Sequence, residues 1–93
     1  MSRSSIPYTV VLSPGARRAL SETLPEAAAF AAWEFIQGPL SQRPYAVGLP
    51  LRGPLEGRWR ARRGEYRIVY RIEEDTREVH VLDVAHRRDA YRS

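Results

Sequence analysis

Apolar and polar residues alternate with two different periods along this chain, and the change of period divides it. From Pro7 to Leu12 the positions Tyr8, Val10 and Leu12 alternate with Thr9 and Val11, which predicts a strand with its even positions inward and a mostly covered second face. Ser13-Pro14 then supplies an N-cap followed by proline at the first helical position, opening a short helix with Ala16, Ala19 and Leu20 as a narrow apolar stripe. Thr23-Leu24-Pro25-Glu26 has capping-box spacing. It predicts a second, longer helix from Pro25 to Gln37, with Phe30, Trp33 and Ile36 or Gln37 as its apolar stripe and Gly38-Pro39 as its stop.

Prolines and glycines from Pro44 to Gly57 predict an irregular crossing, long enough to hold a short turn of helix. Beyond Gly57 the period becomes two. Arg58, Arg60 and Arg62 alternate with Trp59 and Ala61, Arg63-Gly64 offers a tight turn, and Tyr66, Ile68, Tyr70 and Ile72 alternate with Arg67, Val69 and Arg71, which reads as a hairpin. A charged turn from Glu73 to Arg77 leads to a last β segment from Val79 to Ala85. Its facing is ambiguous, because Val79 and Val81 compete with Leu82 and Val84. The order predicts an α+β fold: an N-terminal strand and a helical hairpin packed on one face of an antiparallel-rich sheet, with a short C-terminal tail. The opposite face is then left for a ligand.

Length and composition narrow this further. Ninety-three residues suffice for one small core, so residues 1–93 are expected to form a single domain. The absence of cysteine excludes disulfides and thiolate zinc sites, and two histidines give a protein-built metal site little to work with. Neither a G-x-G-x-x-G run nor a P-loop occurs, so no cofactor is expected. No signal-like or membrane-length apolar run appears, and the expected location is cytoplasmic with no membrane partner.

Charge adds the functional hint. All fifteen positive residues are arginines, and seven of them (Arg52, Arg58, Arg60, Arg62, Arg63, Arg67 and Arg71) fall between residues 52 and 71 against only Glu56 and Glu65. Coding bias can select arginine over lysine, but it does not gather charge on one hairpin. Alternation places Arg58, Arg60 and Arg62 on one side of their strand, with Arg67 and Arg71 on the matching side of the next. Such a face suits phosphates, which guanidinium forks hold by charge-assisted hydrogen bonds, and nucleic acid is the leading polyanion. The tail brings His86, Arg87, Arg88 and Tyr91. On RNA, His86 or Tyr91 is a candidate to take a 2′-hydroxyl proton while Arg67 and Arg87 stabilise phosphate charge; Arg52, Arg58, Arg60, Arg62, Arg71 and Arg88 are candidate RNA-binding residues. A phenol near its ordinary pKa of about 10 is a poor base at neutral pH unless a positive field favours phenolate, whereas imidazole starts nearer neutrality. Trp59, Tyr66 and Tyr70 read as core rather than as stacking platforms.

Gly48-Leu49-Pro50-Leu51-Arg52, with Leu55-Glu56-Gly57-Arg58-Trp59 and the run Gly64-Glu65-Tyr66-Arg67-Ile68-Val69-Tyr70-Arg71, resembles the signature of the RelE/ParE superfamily of toxins from bacterial type II toxin–antitoxin systems. The resemblance spans nearly the whole chain, and the tail from Val84 to Tyr91 favours its RelE-like branch. It implies a toxin that binds the ribosomal A site and cleaves mRNA without a metal, by attack of the ribose 2′-hydroxyl on the adjacent phosphate. Under it, Arg58 and Arg60 match basic residues of the first hairpin strand, Arg67 the phosphate-stabilising arginine, and Arg87 and Tyr91 the basic residue and tyrosine of the tail. Ala85 departs from the pattern, standing where well-known members carry another basic residue. The resemblance also implies a cognate antitoxin as partner, with operator DNA reached only indirectly through it. Two alternatives share the scaffold: a ParE-like inhibitor of DNA gyrase, and a catalytically inactive RNA-binding domain.

Overall fold

In the computed structural model, which describes residues 6–86, the first strand β1 (Thr9–Leu12) enters the core through Tyr8, Val10 and Leu12, as the alternation predicts. Ser13 caps α1 (Pro14–Arg18) by accepting a hydrogen bond from the Ala16 amide at 3.0 Å, and its hydroxyl donates to the Leu82 carbonyl at 2.9 Å. One side chain thus starts the helix and fastens it to the sheet. The chain continues through a wider π turn, Ala19–Thr23, closed by the Leu24 amide on the Ala19 carbonyl at 3.0 Å.

The second helix, α2 (Glu26–Phe35), differs from the expectation at both ends and in its facing. Pro25 occupies its N-cap and no side chain caps it, so the capping box does not form. The Gly38-Pro39 pair does not stop it: the helical path runs on through a π turn, Ile36–Leu40, with Pro39 inside. Proline has no amide hydrogen to give, and a turn one residue wider accommodates it without ending the helix. The buried residues are Ala28, Ala32, Phe35, Ile36 and Leu40, whereas Phe30 is 65% exposed and Trp33 39% exposed. Phe30 and Trp33 of the expected stripe are therefore on the outer side, and the core side of the helix is lined by alanines up to Phe35 and Ile36.

The crossing contains a two-residue strand β2 (Leu49–Pro50) and a 3₁₀ turn, Gly53–Leu55. Then come β3 (Trp59–Arg63), β4 (Tyr66–Glu73) and β5 (Glu78–His86). The sheet order is β1-β5-β4-β3-β2, with β1 parallel to β5 and every other pair antiparallel. The hairpin turn is Gly64-Glu65 rather than Arg63-Gly64, because Arg63 still pairs with Tyr66 and the φ of +47° falls on Gly64.

A β-bulge resolves the facing of β5. Val69 pairs with Asp83 but Tyr70 pairs with Val81, leaving Leu82 as the extra residue. The bulge shifts the phase by one, so Val79 and Val81 before it and Val84 after it are all buried. These valines close the core with Ala61, Tyr66, Ile68 and Tyr70 beneath the helices. Tyr70 is fully buried and donates to the Pro44 carbonyl at 2.7 Å. Gly48 lies over the same phenol, where a Cβ would fall 2.3 Å from Tyr70 Oη and 2.8 Å from the Arg60 carbonyl oxygen. The crossing is thereby pinned against the strand that carries the arginines.

Candidate nucleic-acid interface

Residues opposite one another in an antiparallel pair share a face, so the register sorts the arginines. Arg62 pairs with Arg67, Arg60 with Val69, and Arg67 with Ala85 on its other side; all lie on the sheet face away from the helices. Arg60, Arg62 and Arg67 thus form a triangle at the hairpin end of this face, and the alternation of Ala61, Ile68 and Tyr70 into the core dictates it. Arg67 is half-buried. Its Nε is enclosed and has no hydrogen-bond partner among the described residues, so the base of the guanidinium is held within the protein. Ala85 beside it adds little bulk.

Arg71 lies on the same face but is engaged: its Nε donates to Glu73 Oε2 at 2.8 Å. Opposite Arg71 stands His80, whose Nε2 lies 2.9 Å from Glu78 Oε1. Hydrogen bonds from His80 and then Thr76 hold the Glu78 carboxyl below its usual range. Arg52 and Arg58 are exposed on the crossing and share a shallow hollow with Glu56 and Trp59. They are near neighbours of the triangle in sequence but occupy a loop, not the strand face, because β3 begins at Trp59.

His86 is not brought to Arg67. It pairs with Tyr66, whose ring is in the core, so alternation turns it to the helix side, where its Nε2 lies 3.3 Å from Glu65 Oε1. Arg87, Arg88 and Tyr91 lie outside the described residues. Arg63, one of the clustered seven, is also on the helix side: it donates to the carbonyls of Val47 at 3.0 Å and Arg62 at 2.7 Å, and its guanidinium lies 4.7 Å from the centre of the Phe35 ring. The open face also carries acids that the strand pattern alone does not bring together. Asp83 faces Val69, and Glu73 faces Glu78. Their signal was in the alternation of β4 and β5, obscured in β5 by the bulge. Among the described residues, no three His, Asp or Glu side chains gather to hold a metal ion, and no helix is long and apolar enough to cross a membrane.

Residues 6–91 match the family described as the ParE toxin of the type II toxin–antitoxin system parDE. The chain belongs to the RelE/ParE superfamily of toxins. Its relatives place this toxin nearer the RelE-like branch. It is 44% identical over 86 residues to Toxin RelE of Mycobacterium tuberculosis, covering 92% of this chain and 88% of that one. It is 47% identical over 87 residues to Toxin RelG of the same organism, covering 94% and 99%. Its fold matches the crystal structure of the RelBE2 toxin–antitoxin complex of M. tuberculosis with a TM-score of 0.83 and 46% identity, over 87% of this toxin and 92% of that chain.

Proposed function

We propose that the toxin is a ribosome-dependent mRNA endoribonuclease. In this reading the 2′-hydroxyl oxygen attacks the adjacent phosphorus and the 5′-oxygen leaves. A 2′,3′-cyclic phosphate and a 5′-hydroxyl result; one proton is taken from the nucleophile and another is given to the leaving oxygen, with no metal required. The single observation that carries the reading is the Arg60, Arg62 and Arg67 triangle on the open face, with Arg67 held half-buried at one corner. Donors fixed before the reaction stabilise the charge that develops on a pentacoordinate phosphorane without reorganising. Arg67 holds the non-bridging oxygens, while Arg60 and Arg62 locate the backbone, assisted from the loop by Arg52 and Arg58.

Resemblance to the family adds Arg87 and Tyr91 as the basic residue and tyrosine of the tail; in this reading Arg87 is a second stabilising cation, Tyr91 transfers the proton, and Arg88 is a further RNA contact from the tail's charge. Since His86 belongs to the helix side of the sheet, Tyr91 is the better choice of the two proton carriers. A cognate antitoxin is the natural partner, as in the M. tuberculosis complex, and operator DNA is reached through it. A substrate displayed in the ribosomal A site places the activity in the cytoplasm.

The test is cleavage of mRNA on programmed ribosomes. Arg67→Ala is expected to lower the rate by about 10²- to 10³-fold, the usual effect of removing one charge-stabilising donor. Tyr91→Phe should lose most activity and His86→Ala little, and a 2′-deoxynucleotide at the cut position should abolish the cut. Absence of cuts above background from the intact toxin overturns the reading. Inhibition of gyrase supercoiling would then identify the ParE-like alternative, and RNA binding alone the inactive one.

A further inference from the structure

The open face of the sheet carries two opposite electrostatic halves. At the hairpin end stand Arg60, Arg62 and Arg67, with Val69 and Ala85 between and beside them, Leu49 at the β2 edge and Asp83 at the β5 edge. At the far end, Arg71 is flanked by carboxylates. Glu73 holds it at 2.8 Å and Glu78 lies opposite Glu73, while Asp83, opposite Val69, stands on β5 between the Arg67 and Arg71 rows. His80, opposite Arg71, is turned to Glu78. Counting side chains on this face with imidazole neutral, the rows of Arg60, Arg62 and Arg67 carry three positive charges against Asp83 alone, at their β5 edge, and the rows of Arg71 and Glu73 carry one positive against two negative. Cross-strand neighbours are about 5 Å apart and diagonal ones about 7–8 Å, so these acids act on Arg71 within a screening length of about 8 Å.

We infer that this charge division fixes the path of the RNA. The strand enters at Arg67, crosses Arg62 and Arg60 toward the β2 edge and the Arg52–Arg58 loop, and is kept off Arg71 and β5 by Glu73, Glu78 and Asp83. The inference rests on the proposed RNA substrate and deepens it by naming the residues that end the binding track. Arg71, grouped with the others by strand alternation, becomes part of the boundary. Glu73 and Asp83 become specificity-determining residues: they exclude a polyanion from half of a face that shape alone would leave open. Asp83 does this on the β5 side of Arg67 and so restricts the direction in which the scissile phosphate is approached.

The experiment is anisotropy of a labelled single-stranded RNA of about ten nucleotides, within the usual site size for such surfaces, titrated with the full chain across a salt series. Each arginine that touches a phosphate contributes about 0.7 to the log–log salt slope on single strands. Arg62→Ala is expected to flatten the slope by about that amount and Arg71→Ala to leave it nearly unchanged. Glu73→Gln should raise affinity by about two- to fivefold, the scale of one surface charge pair, and in that background Arg71→Ala should acquire a slope cost of its own. The inference is overturned if Arg71→Ala in the otherwise unaltered toxin flattens the slope as much as Arg62→Ala, or if Glu73→Gln leaves affinity where it was. Failure of the underlying functional reading looks different: Arg60→Ala, Arg62→Ala and Arg67→Ala would then all leave RNA binding intact. Thermal unfolding of each variant checks that these solvent-face changes leave the fold in place.

Discussion

Glu74 takes two phenols on one oxygen. Tyr8 donates to its Oε2 at 2.5 Å and Tyr45 at 2.6 Å, while Arg77 lies 4.1 Å from the centre of the Tyr8 ring and donates to the Ile6 carbonyl at 2.7 Å. The cluster joins the β4–β5 turn to the start of β1 and to the crossing. Hydrogen bonds from Tyr45 and Tyr8 hold the Glu74 carboxyl below its ordinary range, and the bond to Glu74, followed by burial, pushes the Tyr45 hydroxyl up to about 12. The two shifts act at opposite ends of the pH scale. A depressed carboxyl pKa gives stability that is present above the unfolded value of 4.5 and lost as pH falls through the folded one. A raised phenol pKa gives stability that is present below 10.0 and lost as pH rises toward about 12. Urea midpoints measured across pH should therefore fall at both extremes. Glu74→Gln should flatten the acid limb and soften the alkaline one, leaving the contribution of Tyr70, which burial also raises to about 12. An acid limb identical in the two proteins would show that the cluster is not formed in solution.

At the scale of elements, α2 shows how a helix with two possible stripes chooses between them. The aromatic set Phe30 and Trp33 was the more conspicuous in sequence, yet the helix buries Ala28, Ala32, Phe35 and Ile36. Small side chains fill the core side along the helix, and Phe35 at its end meets Tyr66 with ring centres 6.1 Å apart. Phe35→Ala should then cost about 3–5 kcal/mol in chemical denaturation, as for other buried aromatics. Phe30→Ala should change stability by less than about 0.5 kcal/mol, and a large loss there would contradict the orientation of the helix.

The elements that were legible in the sequence share a physical property: their signal is local. Tyr8, Val10 and Leu12 and the two arms of the hairpin keep a period of two, and Ser13 caps by its own side chain, so each announces itself over a few residues. The remainder depends on partners distant in sequence. Pro39 ends a helix only where the backbone cannot widen, and the bulge at Leu82 is defined by β4 across the sheet. The site divides the same way. Alternation placed Arg60, Arg62 and Arg67 together, but the engagement of Arg71 by Glu73 and the turning of His86 to the Tyr66 side required the register.

On the scale of the whole molecule, an exclusively arginine set of cations meets two different demands. Some guanidiniums are structural. Arg63 bonds two carbonyls while covering Phe35, and Arg77 bonds Ile6 while covering Tyr8, each using the planar fork and its apolar face together. Others, Arg60 and Arg62, have neighbours that place them on the open face, where charge matters more than shape. Arg67 combines an enclosed Nε with that face, so both matter. Lysine keeps the charge and discards the fork, which makes it the substitution that separates these demands. Arg63→Lys and Arg77→Lys should lower the unfolding temperature, since each leaves a carbonyl short of a donor and a ring uncovered. Arg62→Lys should leave both stability and ribosomal cleavage close to those of the unaltered toxin. Arg67→Lys should preserve the fold but lose about tenfold or more in cleavage, because an ammonium group cannot reproduce the planar fork that holds two phosphate oxygens. Thermal unfolding and cleavage measured on the same four variants give the answer. Equal cleavage by Arg62→Lys and Arg67→Lys would reduce the interface to a field of charge, whereas loss confined to Arg67→Lys identifies the guanidinium geometry at that one position as what the RNA requires.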